Sequence, residues 1–465
     1  MLALLLFIGA MPRPLATAAV TIQDERELGE SLLVTFRQQF KLLDEPDISS
    51  YIRDLGREIL EVAGHQPFDY QFYVINNQDF NAFAAPSGLI FIHSGLIEAS
   101  DSEGELVSVL AHEVGHAASR HYADRTEKMK RVSLGTTAVA LAGMLLGGGS
   151  ALGEAAMAGS VAGGATLGLQ FSRRDEEEAD RLSFKWMQEM GRDPAEMLGM
   201  LRKMRKISRF RRGQLPPYLL THPEPEQRLA YIEDRLRMDG AELKPAPPAN
   251  DDDFAFAFHR VRQRIFALTR SPQELIPALR HRLRQGDRQA ADFMAHFGLA
   301  QAYTAERRHE QALAEINKVI DRFPQHAILL ADRGVINFEA GRRQQALDDL
   351  AQARQREPDD PFIIYQQARI FQQLNQNDRA RPLYERLLEL TPDHARLHDR
   401  YGRLRSEQGE RAAGHYHLGL YHWYDGNLRS ARYHLKEAVK VAGDEQPEIA
   451  RQAREQLDKI ARSQR

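Results

Sequence analysis

The chain has 465 residues, enough for two or more domains each with a core of its own. Its 62 Lys and Arg nearly balance 65 Asp and Glu, and a formal net charge of −3 gives no support to a nucleic-acid partner. There is no cysteine, which excludes disulfides, thiol catalysis and Cys-ligated zinc but leaves the redox compartment open.

The first element is a short apolar run, Leu2 to Ala10, followed by Pro12, Pro14 and Ala16-Thr17-Ala18. The run is too short to cross a bilayer as a helix. It reads as a signal peptide over 1–18, cut after Ala18, which predicts export to a bacterial periplasm, with a retained N-terminal anchor as the alternative. The charged stretch that normally precedes such a run is missing, so a start upstream of Met1 stays open.

Farther on, Asn81 to Gly88 is turn chemistry and Leu89 to Ile92 is a short β-favouring run. Such a strand is either part of the core or an exposed edge able to hold an extended peptide by main-chain hydrogen bonds. His93 at its end is expected to be an ordinary strand residue and not a ligand.

Residues 112–116 read His-Glu-Val-Gly-His. On a helix, two histidines at that spacing differ by roughly 40°, so His112 and His116 share a face one turn apart and can hold one zinc ion. Glu113 lies between them, placed to act on a water and not on the metal. Leu106, Val109, Leu110 and Ala111 give this segment an apolar helical face.

The next stretch, 132–169, is apolar and rich in glycine, with Gly147-Gly148-Gly149 at its middle. Its charge-free run from Val132 to Gly153 has about the length of a membrane helix, but the glycines weaken it as a stable span. It is either an insert that covers the site or touches a membrane surface, or a buried helical hairpin.

A zinc site of the His₂Glu type needs a carboxylate from a later helix and keeps its fourth position open. The run Asp175-Glu176-Glu177-Glu178-Ala179-Asp180 offers Glu176 as that ligand, with Asp180 one turn later to accept a hydrogen bond from a zinc histidine. Glu177 and Glu178 point about 100° and 200° away from it. A third histidine of the metzincin kind would stand at position 122, which is Tyr122; His121 is expected to be structural.

Lys244-Pro245-Ala246-Pro247-Pro248, followed by Asp251-Asp252-Asp253, has the composition of an exposed linker over 244–253. Beyond it Pro324, Pro358 and Pro392 recur every 34 residues, as do Ala312, Ala346 and Ala380, and Ala300, Gly334, Ala368 and Gly402. That period resembles tetratricopeptide repeats, stacked helix pairs that form a solenoid and bind peptides or folded partners. The phase is expected to break after the third proline, leaving an irregular helix near 394–410, a last pair at 412–442 and a cap at 446–463.

Taken together, His112-Glu113-Val114-Gly115-His116, Ser172-Arg173 with Glu176 and Ala179-Asp180, Thr221-His222-Pro223 with Arg228, and Asn81 to Gly88 resemble the M48 family of zinc metallopeptidases over about residues 25–240. Ser87 stands where that family usually has a glycine. The resemblance implies one zinc ion per chain on His112, His116 and Glu176, Glu113 as general base, and an edge strand beside the site. It also brings His222 near the metal, either as an oxyanion stabiliser or as a fourth ligand that keeps the enzyme latent, and it gives 132–169 a mobile or membrane-facing character.

The expected fold is mostly α: an α+β zincin-type metallopeptidase domain with a small β-sheet over 19–243, then an α-solenoid of tetratricopeptide repeats over 254–465. The resemblance to M48 peptidases, joined to such repeats and a signal peptide, implies periplasmic work in the assembly and quality control of outer-membrane β-barrel proteins. The resemblance therefore implies unfolded or stalled outer-membrane proteins as substrates and the β-barrel assembly machinery as a partner of the repeats. It also implies chaperone-like work beside proteolysis, with a mainly scaffolding role as the alternative.

Overall fold

The computed structural model describes residues 21–122, 171–210, 217–238, 252–286 and 290–463. The expected signal peptide, the 132–169 insert and the linker up to residue 251 lie outside the described residues.

The chain opens with helix α1 (Ile22–Gln39), started by a reciprocal capping box between Thr21 and Asp24. Helix α2 (Pro46–Ala63) follows, with proline in its first turn. Strands β1 (Gln71–Ile75), β2 (Ala82–Ala85) and β3 (Leu89–His93) form one sheet in the order β1-β3-β2, β1 parallel and β2 antiparallel to β3. Leu89–Ile92 is thus the central strand and not the edge. The edge strand on that side is Ala82–Ala85, with all its residues buried, and Leu89–Ile92 takes the core alternative. Two residues with positive φ, Ser87 (71°) and Gly88 (75°), make the reversal between β2 and β3. Ser87 therefore holds a left-handed backbone that glycine would adopt without strain.

Helix α3 (Ser94–Ala99) leads to α4 (Glu103–Ala118), capped by the Ser102 hydroxyl and buried along most of its length. Helices α5 (Arg173–Glu189), α6 (Glu196–Phe210), α7 (Pro217–Thr221) and α8 (Pro225–Met238) complete the domain. One continuous core joins Ile48 and Ile52 of α2, Phe83 and Phe91 of the sheet, Leu106 and Leu110 of α4, and Phe184 and Met187 of α5.

The second half is helical throughout. Helices α9 (Asp252–Thr269), α10 (Pro272–Gln285) and α11 (Ala290–Phe293) precede five helix pairs. These are α12/α13 (Ala295–Ala305, His309–Arg322), α14/α15 (Ile328–Glu339, Arg343–Arg356), α16/α17 (Pro361–Gln373, Asn377–Leu390), α18/α19 (Ala395–Glu407, Arg411–Tyr424) and α20/α21 (Leu428–Ala442, Pro447–Arg462). The expected break in phase does not occur: 395–407 is a regular first helix, and the last pair is 428–462. Gly414 carries on the register of Ala312, Ala346 and Ala380. It faces Gly402 so closely that a Cβ added to Gly402 would lie 3.1 Å from the Gly414 carbonyl.

The solenoid curls around the peptidase-like domain. Phe258, Val261 and Ile265 of α9 belong to the first core. Arg260, almost fully buried, bridges Asp47 of α2 (3.0 Å) and Asp332 of α14 (2.9 Å). Farther along, the Ala395 N–H donates to Asp44 (2.8 Å), and Arg396 pairs with Glu45. The turn between α19 and α20 closes on α1, where a Cβ added at Gly426 would meet the Arg37 carbonyl oxygen at 2.4 Å. Among the described residues no helix is long and apolar enough to cross a membrane.

Candidate metal centre

The site is built on α4 and α5. His112 and His116 project from one face of α4, and their Nε2 atoms lie 3.0 Å apart. Ser172 starts α5 with a capping box to Asp175, which fixes the helix so that Glu176, in its first turn, faces the two rings. Glu176 Oε1 is 3.4 Å from His116 Nε2 and Oε2 is 3.5 Å from His112 Nε2. The two helices approach closely because Gly115 has no side chain: a Cβ there would lie 3.2 Å from the Ala179 Cα and 3.3 Å from its carbonyl oxygen.

His222, just beyond α7, completes the cluster. Its Nδ1 is 2.9 Å from Glu176 Oε1 and 3.4 Å from His112 Nε2. Ligand atoms of His112, His116, Glu176 and His222 all fall within 4.8 Å of one another, and all four residues are buried. Four donors around a zinc ion with bonds of about 2.0–2.1 Å are roughly 3.3 Å apart in a tetrahedron. The spacings of 2.9 to 3.5 Å fit that donor set. Burial and Arg228 pull the His112 imidazole down, yet Asp180 and Glu176 outweigh them and raise it to about 9. A divalent ion held by the same groups would take the place of that proton. Burial alone favours protonated Glu176, but His222 and Arg228 hold its carboxyl well below the usual range.

Around the cluster the supporting contacts are polar and buried. Asp180 Oδ1 stands 2.8 Å from His112 Nδ1, the contact expected to fix the tautomer of a zinc histidine. Arg228 donates to both Asp180 oxygens (2.8 and 2.7 Å), and its Nη1 is 3.0 Å from Glu176 Oε2. That clamp carried no assigned role in the sequence, although Arg228 belongs to the motif. Glu113, fully buried, accepts a hydrogen bond from the Ala84 N–H of β2 at 3.0 Å through Oε2. Its Oε1 has no hydrogen-bond partner among the described residues and lies 3.5 Å from His222 Nε2. Tyr218 stacks on His222 (4.3 Å between centroids), and its buried hydroxyl also lacks a partner among the described residues. Burial, then the nearby Glu113, keep that phenol protonated far above neutral pH. No motif in the sequence marked Tyr218.

His121 does not join the cluster of four; its Nδ1 is 2.9 Å from His116 Nδ1, on the far side of that ring. His93 is a core residue packed edge-on to Phe83, away from the site.

A model of peptidase family M48 matches residues 46–236, and tetratricopeptide-repeat models match 277–327, 297–361 and 337–404. The β-barrel assembly-enhancing protease of Yersinia pestis is 28% identical over 398 residues, covering 85% of this chain and 80% of that protein. The Escherichia coli K12 protein of the same name is 33% identical over 243 residues, 52% of this chain and 49% of its own, so the match spans about half of that relative. Metalloprotease LoiP of Escherichia coli K12 is 33% identical over 175 residues, covering 38% of this chain and 65% of LoiP.

Proposed function

We propose, from the premise that residues 46–236 are a family M48 metallopeptidase domain with tetratricopeptide repeats behind it, that this chain is a zinc-dependent endopeptidase of the periplasm that acts on stalled outer-membrane β-barrel proteins. The observation that carries the reading is the convergence of four buried donor atoms beside a carboxylate oxygen left free.

His112, His116 and Glu176 would hold one zinc ion per chain. Zinc, when bound, supplies Lewis acidity toward the scissile carbonyl and lowers the pKa of the attacking water. Glu113 keeps Oε2 on the Ala84 N–H and leaves Oε1 free to take a proton from that water and pass it to the leaving amine. Asp180 and Arg228 hold His112 and Glu176 in place. Tyr218 offers a neutral O–H beside the cluster, suited to an oxyanion.

His222 supports a second, latent state of the same enzyme. Its Nδ1 sits among the ligand atoms, where it would fill the fourth metal position and exclude water. A chain held in that state works mainly as a scaffold or chaperone on the assembly machinery, with proteolysis released when the 217–223 segment moves. The names of the relatives support an outer-membrane client; no stretch of this chain identifies one.

The test is Glu113→Gln in the full chain, with metal content and degradation of unfolded casein measured side by side. Retained metal with abolished cleavage is expected. Undiminished cleavage by a cleanly purified variant would overturn the reading.

A further inference from the structure

A cavity of about 340 Å³ lies between β1 and the helices α18 and α19. In the sheet order β1-β3-β2 it is at the edge opposite β2 and Glu113. Arg37 lines it with a side chain only 7% exposed, and among the described residues it forms no ion pair with a carboxylate. Its Nε has no hydrogen-bond partner, and one Nη reaches the Tyr73 hydroxyl at a long 3.3 Å. The guanidinium lies 4.9 Å from the centroid of Tyr424 and 5.7 Å from that of Tyr73. A buried cation without an anion is costly, and such groups in native proteins ordinarily have a partner.

The carboxylates on the cavity wall do not serve it. Asp44 accepts from the Ala395 N–H and sits 3.2 Å from His394, while Asp393 and Asp425 make no ion pair with Arg37. Burial pushes both the Tyr73 and the Tyr424 hydroxyl up to about 12, so each stays a neutral donor.

The outer edge of β1 is the second observation. Val74 C=O accepts from the Leu43 N–H, and the Asn76 N–H donates to Lys41 C=O, so the 41–43 segment covers only the end of this edge. Strand alternation turns Phe72 the same way, past that cover and toward the cavity, where among the described residues its backbone pairs with no other segment. An added chain paired at Phe72 is stopped at Val74 by Leu43, within the cavity that Arg37 also lines. A chain end held against Arg37 is the carboxylate and not the ammonium, which the guanidinium would repel.

We propose that this cavity captures the C-terminus of an extended peptide, with main-chain hydrogen bonds to β1 at Phe72 and the terminal carboxylate on Arg37. Strand addition combined with capture of a terminal carboxylate is a known recognition mode. The site stands apart from the metal centre and does not rest on the protease reading.

Fluorescence anisotropy of an N-terminally labelled peptide of alternating apolar and polar residues tests it, using the full-length Glu113→Gln chain so that no substrate is consumed. The free-acid peptide is expected to bind, and either C-terminal amidation or Arg37→Gln to weaken it by about 10- to 100-fold, the range for a charge-assisted hydrogen bond. Tyr424→Ala, on the solenoid wall, should also weaken binding and leaves α1 intact should Arg37→Gln fold poorly. An amidated peptide with an internal Glu distinguishes the sources of the carboxylate: binding as tight as the free acid would overturn the C-terminal assignment. Binding unaffected by amidation, or by Arg37→Gln and Tyr424→Ala in folded protein, would overturn the site.

Discussion

Arg228→Met removes the clamp behind the proposed metal ligands and leaves those ligands unsubstituted. Arg228 is 7% exposed and faces three carboxylate oxygens, Asp180 Oδ2 at 2.8 Å, Asp180 Oδ1 at 2.7 Å and Glu176 Oε2 at 3.0 Å. The methionine fills much of the volume but leaves two buried carboxylates without their cation. Breaking one partner from a buried pair costs about 3–5 kcal/mol, which for a domain of this size lowers Tm by roughly 6–20 °C. Asp180 also loses the fork that holds it on His112, and losing such outer contacts weakens metal binding by about 10- to 100-fold. Thermal unfolding of the metal-free chain and competition against a zinc chelator read the two effects separately. Arg228→Lys, which keeps the charge but not the planar fork, should recover part of the stability and little of the affinity. A methionine variant that melts within about 1 kcal/mol of the wild type and holds zinc as tightly would refute the reasoning.

Gly115→Val should drive α4 and α5 apart, since even a Cβ meets Ala179 backbone at 3.2 Å; metal content should fall while far-UV circular dichroism stays near wild type. His222→Ala should increase casein degradation if the fourth-position histidine is a latch, and a decrease would assign it to the oxyanion instead. His93 is fully buried, and burial lowers its imidazole from 6.5 to about 4. Between those values the unfolded chain binds the extra proton, so the neutral ring stabilises the fold above pH 6.5 and the benefit is lost as pH falls toward 4, at most about 3 kcal/mol. His93→Phe should flatten that part of a stability-versus-pH curve from denaturant titration, and an unchanged slope would show that His93 does not cause it.

Much of the centre was legible because it is local. The helical spacing of His112, Glu113 and His116, and that of Glu176 and Asp180, fixes which side chains share a face whatever surrounds them. What sequence could not show was contact between distant segments. The Ala84 N–H on Glu113 and the Arg228 fork join residues tens to more than a hundred positions apart. Strand order stayed open for the same reason: Leu89–Ile92 has the same pattern at an edge or at the centre, and only pairing on both sides decides. The repeat phase was lost because Gly414 stands where the earlier units have alanine; a search for any small residue at that register keeps the period intact. Nothing in the period showed that the solenoid would curl back on the domain, a contact held by single residues such as Arg260 and Gly426.

The central claim is that two imidazoles of α4 and the Glu176 carboxylate hold one zinc ion. Elemental analysis of the purified full-length chain, next to His112→Ala and Glu176→Ala, tests it most directly. One zinc per chain is expected in the wild type and well below one in both variants. A Glu176→Ala protein that is folded and still carries a full complement of zinc would contradict it.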